Sequence, residues 1–151
     1  MGILDLLFGE KIIRQDDFFG KIESEKTRKK DIAKSLSWSF NKKIGSFKNE
    51  TYIILEGNYN NINPSQKVEL KYFIENFDSV YSFEVDKLIE SESKFSMYKN
   101  WRNNYYISFI CPLLDSNTNF EINFEPINEK TENGYFSVEL INRIVKNIET
   151  I

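Results

Sequence analysis

One helical stripe interrupts a chain otherwise written in short alternating segments, and this arrangement restricts the fold more than any other feature. Asn63 is a good N-cap, and Pro64 fits the first helical position. Leu70, Phe73, Ile74, Phe77 and Tyr81 then fall at helical spacing, and Val85, Leu88 and Ile89 continue the stripe. The spacing predicts helix from Pro64 to about Glu90, with a break near "NFDS", where Asn76 and Asp78 weaken the propensity.

On either side the period changes to two. In "SLSWSF", Leu36, Trp38 and Phe40 share one face and the serines the other, as in a half-buried strand. "GKIES" and "TYIILEG" read as strands before the helical region, separated by turn material around Gly45 and Asn49. "YYISFIC", "NFEINFEP" and "YFSVELI" read as strands after it. Pro112 closes the first, "LLDSNTN" is hairpin-like, and Asn133-Gly134 is a tight-turn dipeptide. The tail "INRIVKNIETI" is ambiguous: Ile141, Ile144, Val145 and Ile148 fit a short helix, the preferred reading, and a last strand is the alternative. Runs of strands in place of strict alternation with helices indicate α+β. The expectation is a single domain, 1–151, with a mostly antiparallel sheet of about six strands and a central segment of one or two helices on one face.

Function is bounded first by what is missing. The chain has no histidine, which removes Ser-His-Asp and Cys-His hydrolysis, HExxH zinc sites and two-His iron sites. Carboxylate chemistry and oxygen-ligated Mg²⁺ or Ca²⁺ survive. The one cysteine, Cys111, lies in an apolar run and reads as an inert thiol in a reducing compartment. No GxxxxGK[ST] or GxGxxG phosphate loop occurs, and no cofactor is implied.

The apolar run Ile3 to Phe8 is too short for a signal peptide or a membrane span. Leu6 stands where N-myristoylation needs Ser or Thr. The run reads as a helical turn that packs Ile3, Leu4, Leu7 and Phe8 onto the domain. The expected location is the cytoplasm, without membrane contact.

Several clusters could carry chemistry or binding. Asp16 and Asp17 precede Phe-Phe-Gly, and consecutive residues on an extended chain point apart. They read as turn residues capping backbone N–H groups. Lys26, Arg28, Lys29, Lys30 and Lys34, with Asp31, lack the interleaved aromatics of a nucleic-acid site and read as a solvated loop. Glu84, Asp86, Glu90 and Glu92, and again Glu121, Glu125, Glu129 and Glu132, match no metal motif. They are solvated faces or a surface for a basic partner. "FSMYKNWRNNYY" gathers Met97, Tyr98, Trp101, Tyr105 and Tyr106 beside Lys99 and Arg102. These residue types dominate interface hot spots, and they fill cores equally well. Tyr98, Trp101, Arg102 and Tyr105, with Glu84, Asp86 and Glu90, are the candidate partner-binding residues.

The segments "MGILDLLFG", "DDFFGKIE", "LSWSF", "ILEG", "NPSQKVELKYFIENFDSV" and "GYFSVELIN" occur in one order. Together they resemble a loose group of small bacterial domains of unknown function, often described as immunity-like and encoded beside secreted or contact-delivered toxins. Two features depart from that pattern. The asparagine-rich "GNYNNINPSQ" stands where the group carries acids and glycines, and Ser39 replaces a glycine after the tryptophan. The group supplies no catalytic residues to carry over. The resemblance implies a non-enzymatic binding protein whose partner is a cognate toxin, a nuclease if the acidic clusters make the contact. A general interaction module that dimerises through sheet edges is the alternative, and a carboxylate-dependent enzyme is a third reading.

Overall fold

The computed structural model describes residues 2–28, 30–114, 118–130 and 133–151. It is α+β: eight strands form one sheet in sequential order, and four α-helices are present among the described residues. Strands β1 (Glu10–Asp16), β2 (Gly20–Thr27), β3 (Leu36–Lys43) and β4 (Glu50–Gly57) form an antiparallel meander. Strands β5 (Tyr105–Pro112), β6 (Phe120–Pro126), β7 (Phe136–Ile141) and β8 (Ile144–Thr150) form a second. β4 and β5 pair parallel and join the meanders. Parallel neighbours need a long crossover, and the helical region supplies it.

That crossover runs through α2 (Pro64–Glu75), one π-helical turn (Phe77–Tyr81), α3 (Ser82–Ser91), a 3₁₀ turn (Ser93–Tyr98) and α4 (Trp101–Asn104). Asn63 caps α2, its side chain accepting from the N–H groups of Ser65 and Gln66, with Pro64 at the first turn. The break falls where the sequence weakens, and the Tyr81 N–H reaches back to the Asn76 carbonyl. The extra residue in this turn keeps Phe73, Phe77, Tyr81, Val85 and Ile89 all directed into the core. They meet Trp38, Phe40, Ile53, Leu55, Ile107, Ile110, Phe124 and Phe136 from the sheet in one continuous apolar cluster. The helices of the crossover thus cover one face of the sheet.

Three expectations need correction. The sheet has eight strands, not about six, because β1 and β8 were not counted. β8 replaces the expected tail helix: Asn142 (φ 50°) and Arg143 (φ 63°) form a two-residue hairpin loop between the paired residues Ile141 and Ile144. Positive φ at both central residues is the geometry that suits the twist of a hairpin, and asparagine tolerates it. Finally, α1 (Ile3–Phe8) forms as a helical turn, but its apolar side chains do not pack on the rest of the chain: Ile3 is 82% and Phe8 59% exposed. No helix among the described residues is long and apolar enough to cross a membrane. The tip of the β5–β6 hairpin, at 115–117, lies outside the described residues.

Gly45, in the β3–β4 turn, has φ +54°, and a Cβ there would run into Asp78 Oδ1 and the Phe77 ring. Gly45→Ala therefore lowers stability by ~2 kcal/mol through left-handed strain and the displaced π turn. A shift of the urea midpoint measures it, and an unchanged midpoint would refute this close approach.

Candidate functional site

The residues first singled out for binding turn inward. Tyr98, Trp101 and Tyr105 are each about 1% exposed. The Trp101 ring lies 5.4 Å from Phe124, edge to face, and near Phe47 and Phe77. Tyr98 and Tyr105 pack against Phe136, and their hydroxyls donate to the Asn133 and Gly134 carbonyls, tethering the entry to β7. Burial pushes both phenols up in pKa, so they remain neutral donors.

The acidic residues of α3 are spent on the same framework. Asp86 accepts the Trp101 indole N–H at 2.8 Å and pairs with the Arg102 guanidinium. Arg102 also lies over the rings of Trp101 and the exposed Phe83. Glu84 accepts the Val145 backbone N–H at 2.8 Å, fastening α3 to β8. Only Glu90 is exposed without a partner among the described residues, at the rim of a shallow cleft lined by Asp86, Ile89, Lys99 and Trp101. These seven residues are brought together in large part, as a buttress and not as an open patch.

Asp16 and Asp17 diverge. Asp16 is buried; its Oδ1 accepts the N–H groups of Phe18 and Phe19, both at 2.9 Å, and its Oδ2 pairs with Lys67. Asp17 is exposed. The expected capping role of Asp16 is what the geometry shows.

The face of the sheet that the crossover leaves uncovered is more informative. On every strand, the residues alternating with the core set point there. In the first meander Glu23 is held between Lys11 (3.1 Å) and Lys21 (2.8 Å). In the second meander no carboxylate on this face is held that way. Glu121 and Glu125 on β6, Glu139 on β7 and Glu149 on β8 have no lysine or arginine within ion-pair distance among the described residues. Glu121 and Glu139 stand directly opposite each other in register. Like charges directly opposed across two strands destabilise a sheet; on its other side Glu139 faces Lys146 of β8 in register and accepts from the Asn147 amide, which offsets part of that repulsion.

Aromatic surface borders these carboxylates. Tyr52, exposed on β4, stacks with Phe109 on β5 at 6.0 Å. The Tyr106 hydroxyl donates to Glu125 at 3.3 Å, and burial, then the Glu125 charge, raises its pKa. Cys111 shares this face, half-buried; burial and then Glu121 push its thiol up, which disfavours the nucleophilic thiolate. The chemistry available is recognition: carboxylates outside ion pairs, bordered by aromatic edges, on one face of the sheet. Among the described residues, no group of three or more Cys, Asp or Glu side chains could hold a metal ion.

Of the second acidic run, Glu121 and Glu125 lie on this face, Glu129 is exposed in the turn after β6, and Glu132 lies outside the described residues. Glu139, Glu149, Tyr52 and Phe109 were missed. The alternation of "YFSVELI" and "NFEINFEP" already puts Glu139 and Glu121 on the polar side of adjacent strands, and the register between them was the missing piece. Compared with protein-family models, curated proteins and solved structures, the chain gives no match.

Proposed function

We propose that this chain is a non-enzymatic protein-binding domain that neutralises a cognate bacterial toxin, and that the toxin presents a basic surface, as a nuclease does. The partner docks on the uncovered face of β5–β8. The observation that carries this reading is the group of four carboxylates Glu121, Glu125, Glu139 and Glu149, none in an ion pair among the described residues: Glu121 and Glu139 are opposed in register, and Lys146 is the cation in register with Glu139. A basic partner relieves that repulsion, so the electrostatic cost in the free protein becomes a gain in the complex, and complementary charge speeds encounter. The sequence resemblance to immunity-like domains supports the same reading, and the cytoplasm is the compartment where such a protein would act.

The test is a growth assay. The gene adjacent to this one is induced in a laboratory bacterium with and without this chain, and rescue of growth by this chain is expected. Glu121→Lys then separates binding from folding. It replaces a repulsive pair with an attractive one, so stability rises by up to ~1 kcal/mol while affinity for the toxin falls. A variant that is less stable than the parent, or that rescues fully at limiting expression, contradicts the assignment of this face.

A second reading, a general interaction module working as a homodimer, is favoured by the two sheet edges. β1 pairs only with β2 and β8 only with β7, so each leaves one side of its ladder open among the described residues. β8 is partly blocked, since Glu84 occupies the Val145 N–H, which leaves β1 as the better edge. A dimeric mass by light scattering, with no toxicity from the adjacent gene, would select it.

A further inference from the structure

α1 and the basic loop after β2 lie at the same end of the molecule, and neither is used by the reading above. On α1, Ile3, Leu4, Leu7 and Phe8 fall within one side of a helix at 100° per residue, and all four are exposed. Phe8 shares a shallow cleft of about 270 Å³ with Lys26, Arg28, Asp31 and Lys34. The next residue, Gly9, runs close against the backbone of Thr27 and Arg28, which fixes α1 beside that loop. The loop adds another exposed apolar side chain, Ile32, between its cations.

The cations there are not held in ion pairs. Lys26, Arg28 and Lys34 have no ion-pair partner among the described residues. Acids stand nearby: Asp31 lines the same cleft, Glu25 precedes Lys26 and Glu10 is in register with Thr27, but none forms an ion pair with these cations. Exposed leucine, isoleucine and phenylalanine bordered by unpaired lysine and arginine match the two layers of an anionic lipid surface, acyl chains below and phosphates above. The helix is only about 9 Å long, so it lies in the interface and does not span.

We propose that α1 and the neighbouring Lys26, Arg28 and Lys34 form a docking site for an anionic lipid surface, which holds the chain reversibly on a membrane. The lipid-facing end and the carboxylate-bearing half of the sheet are different surfaces, so either assignment can fail without the other.

The experiment is co-sedimentation of the full chain with vesicles of phosphatidylcholine alone and of phosphatidylcholine mixed with phosphatidylglycerol. Binding is expected only to the second, and added salt should release it. The double variant Leu7→Glu/Phe8→Glu changes exposed positions alone, and its far-ultraviolet spectrum should match the parent while vesicle binding is lost. Arg28→Gln/Lys34→Gln should weaken binding about 30-fold, roughly five-fold for each cation. Absent binding, equal binding to neutral vesicles, or variants that bind like the parent would each overturn the proposal. So would a parent that is dimeric in solution and becomes monomeric in Leu7→Glu/Phe8→Glu, since a second copy would then cover α1.

Discussion

Trp101→Ala should lower the free energy of unfolding by about 3–5 kcal/mol, the usual cost of emptying a large aromatic site in a core. The indole is buried between α3 and the sheet, against Phe47, Phe77 and Phe124, and its N–H is satisfied by Asp86. Truncation opens a cavity and strands one hydrogen bond of a carboxylate that also holds Arg102. Domains of this kind have only about 5–15 kcal/mol to lose, so a large part of the native population is at stake. Trp101→Phe keeps most of the ring contact and should lose roughly a third as much. Urea denaturation of the three proteins decides the matter. If the midpoint of Trp101→Ala matches the parent, Trp101 does not hold the crossover to the sheet. If Trp101→Phe is stable yet fails in the growth assay, the residue has a direct role in binding after all.

That experiment bears on why the candidate site was harder to read than the fold. Leu36, Trp38 and Phe40 announce β3 by strict alternation, and Asn63-Pro64 announces α2 by capping chemistry; both signals are local and both elements form where expected. The break near Asn76 is local too. β1 carried no such signal, since Ile12 and Ile13 are adjacent and an edge strand with one partner has little to bury. β8 depended on Asn142 and Arg143 adopting positive φ, which a helical spacing of Ile141, Ile144, Val145 and Ile148 concealed. Tryptophan, tyrosine and arginine serve cores and interfaces alike, so residue type could not decide between them for Tyr98, Trp101 and Tyr105. The Glu121–Glu139 opposition is a property of register, set by strands joined through a long loop, and single segments do not encode it. α1 failed for the opposite reason: its apolar spacing is correct for a helix, but periodicity says nothing about what the stripe will meet.

Asp16 is the other residue on which a large effect should fall, and its signature is in pH. Burial alone would raise its carboxyl; the hydrogen bond from Lys67 and the N–H groups of Phe19 and Phe18 outweigh burial and hold the pKa below the usual carboxylate value. A carboxyl whose folded pKa is depressed contributes stability that is present above the unfolded value, near 3.9, and is lost as pH falls through the folded one. Asp16→Ala removes the acceptor for two N–H groups and the counter-ion of Lys67, and at neutral pH should cost ~3 kcal/mol. Asp16→Asn retains an oxygen for the turn and deletes the charge. Lys67 is about a third exposed and can turn to water, so this variant should cost only ~1–2 kcal/mol. The gap between the parent and Asp16→Asn should be constant from neutral pH down to about 5 and close below about 4. Urea titrations across that range measure it. A gap that persists at low pH would show that the asparagine disturbs the turn itself, and no gap at neutral pH would show that the Lys67 pair adds nothing to the fold. With Asp17 in solvent and Asp16 committed to backbone and Lys67, a closing gap would also identify Asp16 as a structural carboxylate.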